Sequence, residues 1–304
     1  MKNENRLDRS QLFEKIYHVF SYVMVFAVAI LFTFPLYWIL TGAFKPSVDI
    51  YATKPVWWPS EWVMDNFVKL IEKRSATLFE IKLFGYIITG PTIPAVFRWL
   101  LNTVFMAVMS LIITCLTSAM AGYVLAKKRF FGRGVIFGLI VCAMALPKQV
   151  VLIPLVRLMN SLGLYDNIWA VIFPIVGWPF GVFLLRQFAE GIPTEMVEAC
   201  RIDGASEWRT FTDVMFPMIK PGVGALAIFT FVNSWNDYFM QLIMLTSSTN
   251  LTISVGIATL QGESSTDFGI LMAGAALASV PIIIVFLLFQ KYFTKGITMG
   301  AVKG

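Results

Sequence analysis

Apolar positions dominate this chain, and they gather in long uncharged runs rather than in the one-sided stripe of a soluble amphipathic helix. Runs at about 17–41, 99–126, 168–185 and 268–290 are long enough to cross a hydrocarbon core of roughly 30 Å as helices. Two more cross only if one charge is accepted in each: 135–157 carries Lys148 and 221–245 carries Asp237. The pattern predicts an all-α integral membrane protein, a six-transmembrane-helix bundle with both chain ends on one side. Residues 1–16 are polar, and Leu7, Leu12, Phe13 and Ile16 are spaced for a short helix lying at the interface. The stretch 73–94 fits no span and is expected to hold a surface helix or a shallow re-entrant segment. No run repeats another, and no low-complexity tract or second soluble domain appears.

Composition agrees with this reading. Of 304 residues, 58% are hydrophobic and only 14% charged, far too few charges for a soluble domain of this length. The basic excess, 24 Lys and Arg against 18 Asp and Glu, sets orientation. The connection 127–134, KKRFFGRG, carries four basic residues, the 186–220 loop four and the tail after 290 three, whereas 158–167 and 246–267 carry none. Short-loop bias therefore puts both termini and the 194–221 loop in the cytoplasm and the long stretch 42–98 outside, with its Trp57 and Trp58 in an interfacial aromatic belt. No dense basic patch points to nucleic acid. Cys115, Cys142 and Cys200 match no metal or disulfide spacing, and His18, the only histidine, supports neither a metal site nor a triad. The N-terminal segment lacks the small-residue cleavage pattern of a signal peptide.

Proline and glycine collect in two spans. Pro147 and Pro154 are expected to interrupt the third, and Pro174, Gly177, Pro179 and Gly181 the fourth. Broken helices are tolerated at membrane depth where they are buried in protein or line a cavity; packing kinks are the plainer reading. Lys148 and Asp237 each cost roughly 2.5–3.5 kcal/mol near a helix centre, so each needs a cavity or a partner. They lie at matched depth, roughly 20–22 Å up their spans at 1.5 Å per residue, which permits an ion pair. Around Asp237, Asn233, Trp235, Asn236 and Tyr238 carry amide and aromatic groups suited to sugar hydroxyls and equally to bonds between helices. These residues, with Lys148 and Gln149, are the candidate solute path.

The one long polar passage between apolar runs is 194–221, TEMVEACRIDGASEWRTFTDVMFPMIKP. Thr194 is expected to cap a first helix, Gly204 to end it in a left-handed turn, and Ser206 to cap a second helix from Glu207 to about Phe216 that Pro217 closes. A cytoplasmic helix-turn-helix knob held at both ends by the membrane results. On a soluble protein that shape would suggest DNA; tethered here, with as much acid as base, it does not.

Glu198-Ala199-Cys200, Gly204, Val214, Phe216 and Pro217 are spaced as E-A-A-x3-G-x9-I-x-L-P, and so resemble the EAA loop of binding-protein-dependent ABC importer permeases. Cys200, Val214 and Phe216 depart from the pattern while keeping size and polarity. MALPKQVVLIPL, SLGLYDNIWAVIFP, FTFVNSWNDYF, LQGESSTDFGILMAGA and the ending QKYFTKGITMGAVKG are similar to the carbohydrate branch, in particular its maltose-permease G-type subunits. The resemblance implies a cytoplasmic segment at 1–16, a permease domain over 17–291 and a cytoplasmic tail at 292–304 in a bacterial-type inner membrane. It implies a second, non-identical permease subunit, two ATPase subunits that hold ATP and Mg, an extracytoplasmic solute-binding protein and membrane lipid as partners. It further implies that Glu198, Ala199 and Gly204 dock the loop in an ATPase, with Arg201, Asp203, Ala205 and Pro217 beside them, and that Gly296, Lys303 and Gly304 belong to a tail reaching the same subunits.

This chain has no G-x-x-x-x-G-K-[ST] cradle for phosphate, no nucleophile motif and no metal-ligand cluster, so it is expected to be a transport subunit without catalytic residues or a cofactor of its own. The competing class is an ion-gradient-driven secondary transporter that uses Asp237 and Lys148 as a relay. That class gives the 194–221 loop no task.

Overall fold

A computed structural model describes residues 4–83, 86–261 and 267–301, with side chains described over 13–80, 88–261 and 267–290. The chain divides into two compact units, 1–70 with 266–276 and 71–265 with 277–304. By length and composition, the described helices give five candidate spans, or six if one sharply bent pair counts as a span.

In the first unit a single helix, α1 (Glu4–Ala43), replaces the expected interfacial helix plus span. Residues 4–34 contain neither Gly nor Pro, so nothing in the sequence stops the helix between them. The most apolar window of α1 buries none of its surface within the chain, which leaves it to lipid or another subunit. Its open C-terminal carbonyls are satisfied by Asn66, whose Nδ2 donates to Ala43 O at 3.0 Å and Lys45 O at 2.8 Å. Lys45 is buried, donates to Val56 O at 2.5 Å and lies 4.2 Å from the Trp38 ring centroid. Two short helices follow, α2 (Ser47–Ile50) and α3 (Asp65–Glu72), and Trp57 and Trp58 stay exposed.

The second unit opens with strands where a surface helix or re-entrant segment was expected. β1 (Ser75–Thr77) pairs antiparallel with β4 (Thr92–Pro94), and β2 (Glu80–Leu83) with β3 (Tyr86–Thr89). The two ladders nest as one long hairpin, joined by Leu78 N–H to Pro91 O and Gly90 N–H to Phe79 O, both 2.9 Å. β-branched and aromatic residues at Thr77, Ile81, Tyr86, Ile87, Ile88 and Thr89 favour this pleated form.

Next comes α4 (Ala95–Lys127), the helix against which the rest of the unit packs, followed by α5 (Arg133–Met144), α6 (Lys148–Ser161), α7 (Trp169–Val176) and α8 (Pro179–Glu190). α9 (Thr194–Ile202) and α10 (Glu207–Arg209) lead through a π turn at Thr210–Met215 into α11 (Phe216–Asn236). α12 (Tyr238–Met244), α13 (Ile253–Leu260) and α14 (Phe268–Ala301) complete the chain.

One face of α4 carries Ser110, Thr114, Ser118 and Gly122 at every fourth position, and all four are buried. Small side chains let helix backbones approach closely in a membrane. A Cβ on Gly122 would lie 2.8 Å from Arg186 N and 2.9 Å from Leu185 C, and one on Gly181 would lie 2.4 Å from Ser118 Oγ. The α4–α8 contact therefore needs glycine on both helices. Beside it Cys115, Ala119, Tyr123, Leu185, Ala189, Phe211, Met215 and Leu226 form an apolar core.

The N-terminal end of α4 grips the connection between α12 and α13. Trp99 Nε1 donates to Ser248 O at 2.8 Å, Asn102 Nδ2 to Thr249 O at 2.8 Å and Leu251 O at 2.9 Å, and Ile253 N–H donates to Thr103 Oγ1 at 2.9 Å. The same connection is held by Asp166, a left-handed residue (φ 56°) between α6 and α7. Its Oδ1 accepts from Thr246 N–H at 2.7 Å and Ser247 N–H at 2.9 Å, its Oδ2 from the Ser247 hydroxyl, and its N–H donates to Met244 O at 3.0 Å. Burial pushes the Asp166 carboxyl up, but the Ser247 and Thr246 hydrogen bonds outweigh it and hold the group below the usual carboxylate range.

Candidate functional site

Two places in the second unit carry polar chemistry. The first is the protruding knob between α8 and α11. Pro193 takes the N-cap position, so Thr194 is the first helical residue and not the expected cap. Gly204 ends α9 with φ +75°, the left-handed turn that the sequence predicts, and Ala205 N–H donates to Cys200 O at 2.9 Å. Ser206 caps α10, its Oγ accepting from Arg209 N–H at 3.2 Å.

The expected stop at Pro217 does not occur. Proline has no N–H to give and its ring crowds the carbonyl four residues back. The helix passes this point by widening into the π turn, where Phe216 N–H reaches back five residues to Phe211 O. Pro217 then sits in the first turn of α11, where its missing donor costs nothing. The knob is thus one free helix, a glycine turn, and the start of a long helix that continues to Asn236.

Val197, Phe211 and Met215 bury the inner side of the knob against Tyr123 and Ala189. Its outer side stays open: Glu198, Ala199, Arg201, Asp203, Gly204 and Pro217 are exposed and Ala205 is half-buried. Ile202 and Trp208, which the sequence reading left aside, are exposed apolar side chains on the same knob. Gly296 falls on α14, whereas Lys303 and Gly304 lie outside the described residues.

Sequence reasoning also missed the group that ties the knob down. Glu207 Oε2 accepts from Tyr123 Oη at 3.1 Å and from Lys128 Nζ, and its Oε1 accepts from Arg201 Nη2 at 3.4 Å. Lys127 Nζ donates to Ile192 O and lies 3.5 Å from Glu190 O, occupying carbonyls at the end of α8. Arg186 lies 3.7 Å from the Phe137 ring centroid and pairs with Glu190 at 3.2 Å. The signal was present in AGYVLAKKRFFGR, whose basic pair reads as an orientation signal until Glu207 is placed beside it.

The second place lies where three helix interruptions meet. α5 and α6 are bent by 105° at Ala145–Pro147, so the span 135–157 is interrupted at Pro147 as expected. A proline disfavours helix at the residue before it, and Pro147 is itself extended (ψ 132°). Pro154, expected to interrupt as well, lies inside an unbroken α6. α7 gives way to α8 at Gly177–Trp178, and α11 to α12 at Asp237 (ψ 61°). Residues flanking all three breaks line a cavity of about 400 Å3, among them Met144, Lys148, Trp178, Asn233, Asp237 and Met240.

Lys148 Nζ donates to Asp237 Oδ2 at 3.1 Å, so the two intramembrane charges meet as their matched depth allows. Asp237 Oδ1 accepts from Met240 N–H at 3.4 Å and so also caps α12. The Lys148 side chain remains half exposed. Asn236 borders the same pair, and its Nδ2, like that of Asn233, donates back to its own helix at 2.9 Å and 3.0 Å. Trp235 does not join them: it is 1% exposed and stacks on Phe231 with ring centroids 5.4 Å apart. Gln149 and Tyr238 are exposed but do not line the cavity. Among the described residues no three His, Cys, Asp or Glu side chains come together in a way that could hold a metal ion.

Residues 118–299, from the middle of α4 into α14 and including both places, match the family of binding-protein-dependent transport system inner membrane components. The chain belongs to this family. It is 34% identical to the arabinooligosaccharides transport system permease protein AraQ of Halalkalibacterium halodurans over 91% of this chain and 93% of that one. It is 32% identical to AraQ of Bacillus subtilis over 95% and 97%. The fold is that of a chain in the crystal structure of a bacterial ABC transporter involved in the import of the acidic polysaccharide alginate, with a TM-score of 0.75 at 21% identity over 92% of this chain and 97% of that one. The chain is therefore a multi-pass membrane permease of an ABC importer, and the knob lies inside the part that matches the family.

Proposed function

We propose that this permease is one of two non-identical membrane subunits of an ATP-driven importer of neutral sugars or oligosaccharides. An extracytoplasmic binding protein delivers solute, and two ATPase subunits bind ATP and Mg and close on the knob. The carbohydrate assignment is supported by the identity to two arabinooligosaccharide permeases along nearly the full chain. In this reading the knob and both termini face the cytoplasm, as the basic residues of 127–134 and 186–220 favour. Glu198 meets a basic group of the ATPase, while Ala199 and Gly204 permit close approach. The observation that carries the reading is the knob's form: an exposed helix and glycine turn whose inner face is packed on α4 and α8 and whose far side runs without a break into α11. A body built this way moves as a unit and biases the spans attached to it.

Solute passes beside the cavity at the three helix breaks. Its volume of about 400 Å3 suits a small ligand, with the Trp178 indole as an apolar wall and Lys148, Asn233 and Asp237 as polar groups. Pairing of Lys148 with Asp237 leaves this wall without net charge, which favours neutral over acidic sugars.

Reconstitution with the partner subunits tests this reading. Arabinooligosaccharide uptake is expected only with ATP, the ATPase and the binding protein. Uptake on an ion gradient without ATPase or ATP would instead establish a secondary transporter using Asp237 and Lys148.

A further inference from the structure

Glu207 is the one side chain in the described cytoplasmic-type end of the second unit whose carboxylate reaches three separately anchored groups. Arg201 belongs to α9, the free helix of the knob; Tyr123 belongs to the last turns of α4; Lys128 begins the connection to α5. Without this carboxylate, no side-chain hydrogen bond among the described residues ties α9 to α4, and the attraction between Glu195 and Lys127 is the polar link left. Val197 in the apolar core and the glycine turn, whose backbone carries no side chain, then supply the rest of the hold on α9. Tyr123 is itself anchored, 4% exposed and tilted against Phe211 with ring centroids 5.7 Å apart. The Lys128 ammonium lies 5.1 Å from the Tyr123 ring centroid, so carboxylate, phenol and amine form one cluster. The π turn begins three residues beyond Glu207. It weakens the regular ladder where push on the knob would otherwise travel straight up α11.

We propose that Glu207 is a positioning residue for coupling: its carboxylate locks α9 to the C-terminal end of α4, so that a displacement of the knob is carried into the tightly packed α4–α8 pair as well as along α11. This rests on the reading that the knob receives the drive from an ATPase. Glu207 itself need not touch the ATPase. Its three contacts are weak singly because the group is exposed. Together they select one orientation of α9 relative to α4, which is what coupling between sites requires.

The test uses the full reconstituted importer and compares sugar carried per ATP hydrolysed, with ATPase co-purification as the measure of docking. Glu207→Gln keeps shape and loses charge. It is expected to retain co-purification and ATP hydrolysis while sugar per ATP falls about fivefold or more. Lys128→Met, which leaves the start of α10 untouched, is expected to fall likewise. Lys128→Arg is expected to stay near the parent, and the Glu207→Gln, Lys128→Met double variant to be no worse than either alone. Unchanged sugar per ATP in Glu207→Gln overturns the proposal, and so does loss of ATPase co-purification, which would make Glu207 a docking residue. Glu198→Lys run in parallel separates the two levels. If that variant transports normally, the knob is not the coupling element at all; if it fails while Glu207→Gln is normal, only the role of Glu207 falls.

Discussion

The two ends of α8 and α11 are built in opposite ways. At the knob end the helical path into α11 continues through the π turn, Gly122 brings α4 against the α8 backbone, and charged side chains occupy helix-end carbonyls. At the other end α5, α7 and α11 stop at Leu146-Pro147, Gly177 and Asp237, and one ion pair bridges two of the breaks. Close packing resists deformation and transmits displacement, whereas short segments joined by unwound residues can change their mutual angle at little cost. The comparison assigns stiffness to the knob end and hinges to the end beside the cavity. Beyond the hinges the Asp166 and Trp99 contacts close the bundle again, so the flexible layer is thin.

The largest expected effect comes from loosening the stiff end. Gly122→Val would push a side chain into the Leu185–Arg186 backbone, which has no room to give. Overpacking of this kind costs about 1–3 kcal/mol, and loss of helix contact in the membrane adds to it. Melting of the purified complex in detergent should fall clearly, with less chain recovered. A normal melting temperature would mean that α4 and α8 are not in backbone contact.

At the hinged end the effect should fall on transport more than on stability. Lys148→Met leaves the Asp237 carboxylate with only its α12 cap, and Asp237→Asn leaves the ammonium alone. The half-exposed lysine limits the pair to roughly 1 kcal/mol. Melting should therefore shift little, whereas uptake should drop in each single variant and recover partly in the double. Additive losses would show that the two charges act separately.

How far these two regions could be foreseen differs for a physical reason. Hydropathy and loop charge reveal the spans because both are properties of whole segments, and the Gly204 turn and Ser206 cap are legible because φ and capping are local. Pro217 misleads because a proline in a helix's first turn and a proline that ends one look alike in sequence, and the π turn that carries the helix past it has no local signal. Likewise Leu146-Pro147 signals a break but not its 105° angle. The hairpin at 75–94 was hidden by its apolar composition, since strands and short membrane segments share Ile and Thr. Trp235 and Asn236 are neighbours in sequence, yet only the second borders the ion pair, because helix phase sends the indole into the core.

The smallest effect should come from the clasp beyond the hinges. Asp166 is held ionised below the usual carboxylate range, so its contribution is complete at neutral pH and lost as pH falls through its depressed value. Asp166→Asn keeps a residue that tolerates the left-handed backbone while removing the charge. Parent and variant should differ by less than about 1 kcal/mol near neutrality, since the group is partly exposed, and should converge in acid. A gap that widens as pH falls below 4 would contradict this assignment.

The central claim is that the stiff end receives the drive, and Glu198 is its most exposed test. ATP-driven sugar uptake should be measured in proteoliposomes holding the complete importer with Glu198→Lys. The prediction is a loss of about tenfold or more, with the chain still inserted and still paired with its companion permease subunit. Uptake at the parent rate in that variant would contradict the account.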